Sequence, residues 1–154
     1  MSSSEEIIRA FGSRFGLDLE LDENSACNFE VDDVFVTIVA MDEIEQIVLM
    51  GDIGAPPEFE HEKLFRLMLE ANYLYGSTRG STIALNESND HVVLTKYLPL
   101  KLQSEDSLYS EVETLISVCE IWRQIMKDVS LSPAPADGEE KTRASEVLGN
   151  FMSV

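Results

Sequence analysis

Between Phe15 and Glu62 the sequence contains no lysine or arginine, while fourteen of the chain's 29 Asp and Glu fall there. Across all 154 residues there are only 11 Lys plus Arg, for a formal charge of −18. That scarcity argues against partners held through phosphates, because nucleic acids and anionic membrane surfaces reward Lys and Arg. Cysteine is scarce as well. Cys27 and Cys119 lie far apart in no metal or redox spacing, and read as buried reduced thiols of a cytosolic protein. His61 and His91 have no second His or Cys at a ligand spacing, so neither a metal nor a cofactor is expected. No apolar run approaches the ~20 residues needed to span a bilayer. The opening Met-Ser-Ser-Ser-Glu-Glu lacks the basic and apolar regions of a signal peptide. Nucleophile-elbow, zinc-protease and dinucleotide fingerprints are all missing, and the acids do not follow the pattern of a calcium loop. Carboxylates are so abundant that no pair of them is informative without geometry. The chain is therefore expected not to be an enzyme. Its acidity has two readings: simple solubility and self-repulsion, or attraction of a basic protein segment.

What is present suits one folded domain. Hydrophobic residues make up 44% of the chain, too many for a disordered polyanion. A chain of this length buries roughly 70% of its unfolded surface without needing a staple. Ile7, Ile8, Phe11 and Phe15 share one face of a helix expected from about Ser4 to Phe15, with Ser3 and Glu6 as a capping box and Gly16 as a stop. Cys27, Phe29 and Val31 alternate with polar residues, the period of a half-buried strand. Asp32-Asp33 turns the chain into Val34 to Met41, apolar on both faces and therefore central. A third strand over Ile47 to Met50 completes an antiparallel meander, ended by Gly51, Gly54, Pro56 and Pro57.

A second helix is expected from Glu60 to Tyr75, apolar nearly all round. Leu64, Phe65, Leu67, Met68, Leu69, Ala71, Tyr73, Leu74 and Tyr75 leave no narrow stripe. Such a helix is buried on more than one side, and in a small domain the second side most economically meets another copy of itself. A sandwich wholly within one chain is the alternative. Strands follow at Thr82 to Asn86 and Val92 to Leu98, joined by an Asn89-Asp90 turn. A third helix starts near Ser107. Its broad apolar face, with Trp122 as an anchor, favours covering the sheet over forming a coiled coil. Past residue 130 the composition changes. Residues 1–130 are expected as one domain, and 131–154 as a Pro-containing linker and flexible tail carrying a weak apolar face of Val147, Leu148, Phe151 and Met152.

The order helix, three strands, helix, two strands, helix resembles that of the class I type III secretion chaperones, the CesT/Tir-chaperone family. The resemblance is carried by Leu64-Phe-Arg-Leu-Met-Leu-Glu-Ala-Asn72, Ile83-Ala-Leu-Asn86, Val92 to Leu100 with its Leu-Pro-Leu exit, and Trp122 late in the last helix. It spans about residues 4 to 129 through packing patterns rather than catalytic signatures. It implies an α+β fold in which helices pack on a twisted antiparallel sheet, in a homodimer of the bacterial cytosol. The implied function is to bind the N-terminal segment of one or more secreted effectors in extended form, keeping it soluble and secretion-competent. The effector-binding positions would be Ile8, Phe11, Phe15, Phe29, Val31, Val36 and Ile38. The dimer interface would use Leu64, Leu67, Met68, Ala71, Leu74, Ile83 and Leu85. The secretion export ATPase is a further candidate partner, and no nucleic acid or membrane insertion is expected. The competing reading is an acidic inhibitor, immunity protein or regulatory adaptor that sequesters a basic partner.

Overall fold

Helical spacing of Ile8 and Phe11, with Glu5 and Glu6 near the positive helix end, forms the first element of the computed structural model, which describes residues 3–131. Helix α1 (Ser3–Arg14) leads into strands β1 (Ala26–Val31), β2 (Val34–Met41) and β3 (Gln46–Gly54). Helix α2 (His61–Asn72), strands β4 (Thr82–Asn86) and β5 (His91–Pro99), and helix α3 (Glu105–Leu131) complete the fold. The α+β class and the element order match the expectation. Every strand pair is antiparallel, in the order β1-β2-β3-β5-β4, so β5 lies between β3 and β4 and the two edge strands are β1 and β4. Apart from Leu131, the linker and tail expected over 131–154 lie outside the described residues.

Strand alternation divides the sheet into two faces. Cys27, Phe29, Val34, Val36, Ile38 and Ala40 point at the helices, while Phe35 and Met41 point away and stay exposed. The core continues through Ile47, Leu49 and Ile53 into Leu115, Cys119 and Trp122 of α3. Trp122 is fully buried, as its expected anchoring role requires. Each such large apolar side chain contributes roughly 1.5–3 kcal/mol on burial.

Three boundaries differ from the sequence reading by two residues or more. Strand β3 does not stop at Gly51 but continues to Gly54. Gly51 serves a close approach instead: a Cβ there would sit 2.5 Å from Cys119 Sγ, so its absence lets α3 press onto the strand. Helix α2 ends at Asn72 rather than Tyr75, because the Asn72 side chain turns onto β4. Helix α3 begins two residues early, at Glu105, where Ser104 and Ser107 bond each other's backbone N–H groups. Arg123 locks α3 to the far end of the sheet, donating to the carbonyls of Asp33 (2.8 Å), Asp52 (2.9 Å) and Ile53 (3.0 Å).

Candidate functional site

The free edge of β1 is set by the turn that follows it. Asp32 (φ 51°) and Asp33 (φ 63°) occupy the left-handed region of a two-residue hairpin, so Val31 and Val34 close it as a hydrogen-bonded pair. In an antiparallel ladder such pairs alternate. Phe29, Cys27 and Ser25 therefore bond toward β2, as the Ala40 N–H donating to the Ser25 carbonyl (2.8 Å) confirms. Ala26, Asn28 and Glu30 turn their backbone groups outward. Asp22 occupies Ala26: its N–H donates to the Ala26 carbonyl (2.8 Å) and its Oδ1 accepts from the Ala26 N–H (3.0 Å). The backbone N–H and C=O of Asn28 and Glu30 have no partner among the described residues.

Beside this edge, on the helix face of the sheet, lies an aromatic cluster. The Phe11 ring is 5.2 Å from Phe15 and 5.6 Å from Phe29, and Phe15 stacks on Tyr109 at 4.9 Å. Arg14 lies over the Tyr109 ring at 4.1 Å and bonds Asp106 at 2.6 Å, which ties α1 to the start of α3. Gly12 lets the segment before β1 pack onto α1, since a Cβ there would come within 2.8 Å of Leu19. Of the positions singled out for cargo, Ile8, Phe11, Phe29, Val36 and Ile38 are buried within the chain. Phe15 and Val31 are half-buried at the margin of the core. Tyr109 joins Phe15 there. The sequence reading missed Tyr109, because no local period ties it to α1.

At the opposite edge the backbone is closed at Ile83. The Asn72 side-chain amide donates to the Ile83 carbonyl (3.1 Å) and accepts from the Ile83 N–H (2.9 Å), standing where a neighbouring strand would pair. Leu64, Leu67, Met68 and Ala71 face into the chain's own core, as does Ile83. The outer surface of α2 is nonetheless apolar: Leu69 is 71% exposed, Tyr73 80% and Leu74 76%, with Leu85 of β4 at 52%. An open cleft of about 590 Å³ runs along that surface, lined by Glu62, Phe65, Arg66, Leu69, Glu70 and Tyr73. Of the proposed interface positions, Leu74 and Leu85 are thus accessible. Leu69 and Tyr73, absent from that set, are more so.

Burial pushes the Cys27 thiol up to about 11 and the Cys119 thiol up to about 12, so both stay protonated and unreactive at neutral pH. No helix among the described residues is long and apolar enough to cross a membrane.

Comparison with known proteins agrees with this architecture. The family model for the Tir chaperone protein (CesT) family matches residues 6–123. A Chlamydia pneumoniae protein is 26% identical over 125 residues, covering 77% of this chain and 92% of that one. Among solved structures, a chain of the ExsC–ExsE complex superposes with a TM-score of 0.70 at 21% identity, covering 86% of this chain and 96% of that one. A chain of the HopA1–SchA chaperone–effector complex gives 0.63 at 18% identity, with coverages of 80% and 98%. The Yersinia pestis type III secretion chaperone SycH, in complex with a fragment of YscM2, gives 0.58 at 21%, with coverages of 75% and 96%.

Proposed function

The chain belongs to the Tir chaperone protein (CesT) family, and from that premise we propose that it is a cytosolic, homodimeric type III secretion chaperone. Its cargo is the N-terminal segment of a secreted effector, held extended against the free edge of β1. The observation that carries this reading is the pair of unpartnered residues Asn28 and Glu30 on an edge beside the aromatic cluster of α1, β1 and α3. An extended segment laid there gains main-chain hydrogen bonds from the edge. Every second side chain points to the helix face, which carries Val31 and the half-buried Phe15 and Tyr109. Ile8, Phe11, Phe29, Val36 and Ile38 are buried in the core on that face.

The exposure of Leu69, Tyr73, Leu74 and Leu85 supports dimerisation through α2 and β4. A contiguous apolar surface of this kind marks an interaction site, and a twofold pair is the simplest arrangement that covers it. Two copies joined there present their β1 edges on separate subunits, giving one cargo chain two docking strips. Holding the cargo extended needs no bond-making step, so no ATP or cofactor is required of the chaperone itself.

Co-purification from the native cytosol, with mass and stoichiometry measured, tests the reading. Two copies of this chain with one N-terminal segment of a secreted protein is the expected result. A monomer bound to a folded nuclease would refute it and favour the acidic inhibitor.

A further inference from the structure

Extending the proposed addition of a cargo strand to β1, on which this inference rests, we infer that the cargo segment is basic on one face, with Lys or Arg alternating with apolar residues. Sheet edges left open are commonly protected by lysines. Here the protection has the opposite sign. Asp18, Glu20 and Glu23 lie on the segment entering β1, Glu30 on the strand, and Asp32 and Asp33 in its turn, all exposed. None of the six forms an ion pair among the described residues. The cations that come near are already engaged: Arg14 with Asp106 and the Tyr109 ring, Arg123 with three backbone carbonyls.

The two faces of an added strand then meet different chemistry. Side chains on the helix face meet the side of the sheet that carries Val31 and the Phe11–Phe29 aromatic cluster and are apolar. Those on the other face stand beside Glu30, the nearest carboxylate on β1. A Lys or Arg there brings its charge to the Glu30 carboxylate. A carboxylate on the cargo at that position would instead face Glu30 and lie near the Asp32-Asp33 turn, a like-charge contact. Charge thus selects the cargo and speeds its encounter, while the backbone and the apolar face retain it.

The test uses the full chain and short synthetic peptides that share Leu or Val at alternate positions and carry either Lys or Ser between them. Binding is titrated at low and high salt, and the amide signals of Asn28 and Glu30 are followed by nuclear magnetic resonance. The Lys peptide is expected to bind about tenfold more tightly at low salt, with the gap closing as salt screens it. Both peptides should shift the Asn28 and Glu30 amides, and Glu30→Lys should abolish the preference. Equal affinity of the two peptides, with those amides still shifting, overturns the basic-cargo inference and leaves strand addition standing. Absence of any shift at Asn28 and Glu30 with either peptide overturns both.

Discussion

At β1 the backbone is open while most of the neighbouring apolar side chains are covered. At β4 Asn72 caps the backbone at Ile83, the middle of the strand, and the apolar side chains of α2 and Leu85 stand in solvent. One sheet therefore ends in two surfaces suited to different partners. On the proposed reading, an open backbone beside an apolar cluster takes up an extended chain, because main-chain groups are common to all sequences. A backbone capped at its middle under an exposed apolar surface favours instead a folded partner of matching shape, such as a second copy of itself. The difference would separate cargo binding from self-recognition.

The largest effect that would break this contrast is on assembly. Leu69→Glu combined with Tyr73→Glu places charges on the exposed face of α2, where the fold itself loses little. Each side chain counts twice across a twofold axis, at roughly 1.5–3 kcal/mol apiece, so the dimer should weaken by roughly 6 kcal/mol or more. Light scattering should then report a folded monomer. A persisting dimer would move the interface elsewhere. Leu67→Ala, one residue pair away in sequence but buried in the chain's own core, should instead cost about 2–5 kcal/mol of unfolding stability. Urea titration of the monomeric double variant with and without Leu67→Ala isolates that cost from assembly.

Asn72→Ala sharpens the comparison by reopening the β4 edge. It removes two hydrogen bonds to Ile83 and should cost about 1–3 kcal/mol, with faster amide exchange at Ile83. Exchange at Ile83 that stays as slow as before would show that Asn72 is not what closes the edge. A separate effect appears only in alkaline solution. Cys27 and Cys119 remain protonated in the fold to about 11 and about 12, whereas in the unfolded chain they ionise near 9.0. Above pH 9 the unfolded chain releases protons that the folded one keeps, so stability should fall as pH rises from 9 toward 11. Replacing both thiols by Ala should flatten that decline in a urea series.

The sequence carried some of this plainly. The alternation of Cys27, Phe29 and Val31 against polar neighbours, and the Asp32-Asp33 turn, set the first hairpin because both signals are local. Helix α2 was only half legible. When apolar residues occur all round a helix, periodicity cannot tell Leu67, which faces the core, from Leu69, which faces solvent. Gly51 reads as a strand end, and only its distant neighbour Cys119 reveals a close approach instead. The role of Asn72 depends on Ile83, eleven residues on, and the openness of β1 depends on strand order. Those are tertiary facts, and no window of sequence contains them.

Hydrogen exchange at the two edges, measured on the dimer with and without its co-purified cargo, tests the central claim most directly. The amides of Asn28 and Glu30 should exchange freely in the empty chaperone and become strongly protected once cargo is bound, while Ile83 stays unchanged. Cargo binding that leaves Asn28 and Glu30 as exposed as before would contradict strand addition at β1 and the account built on it.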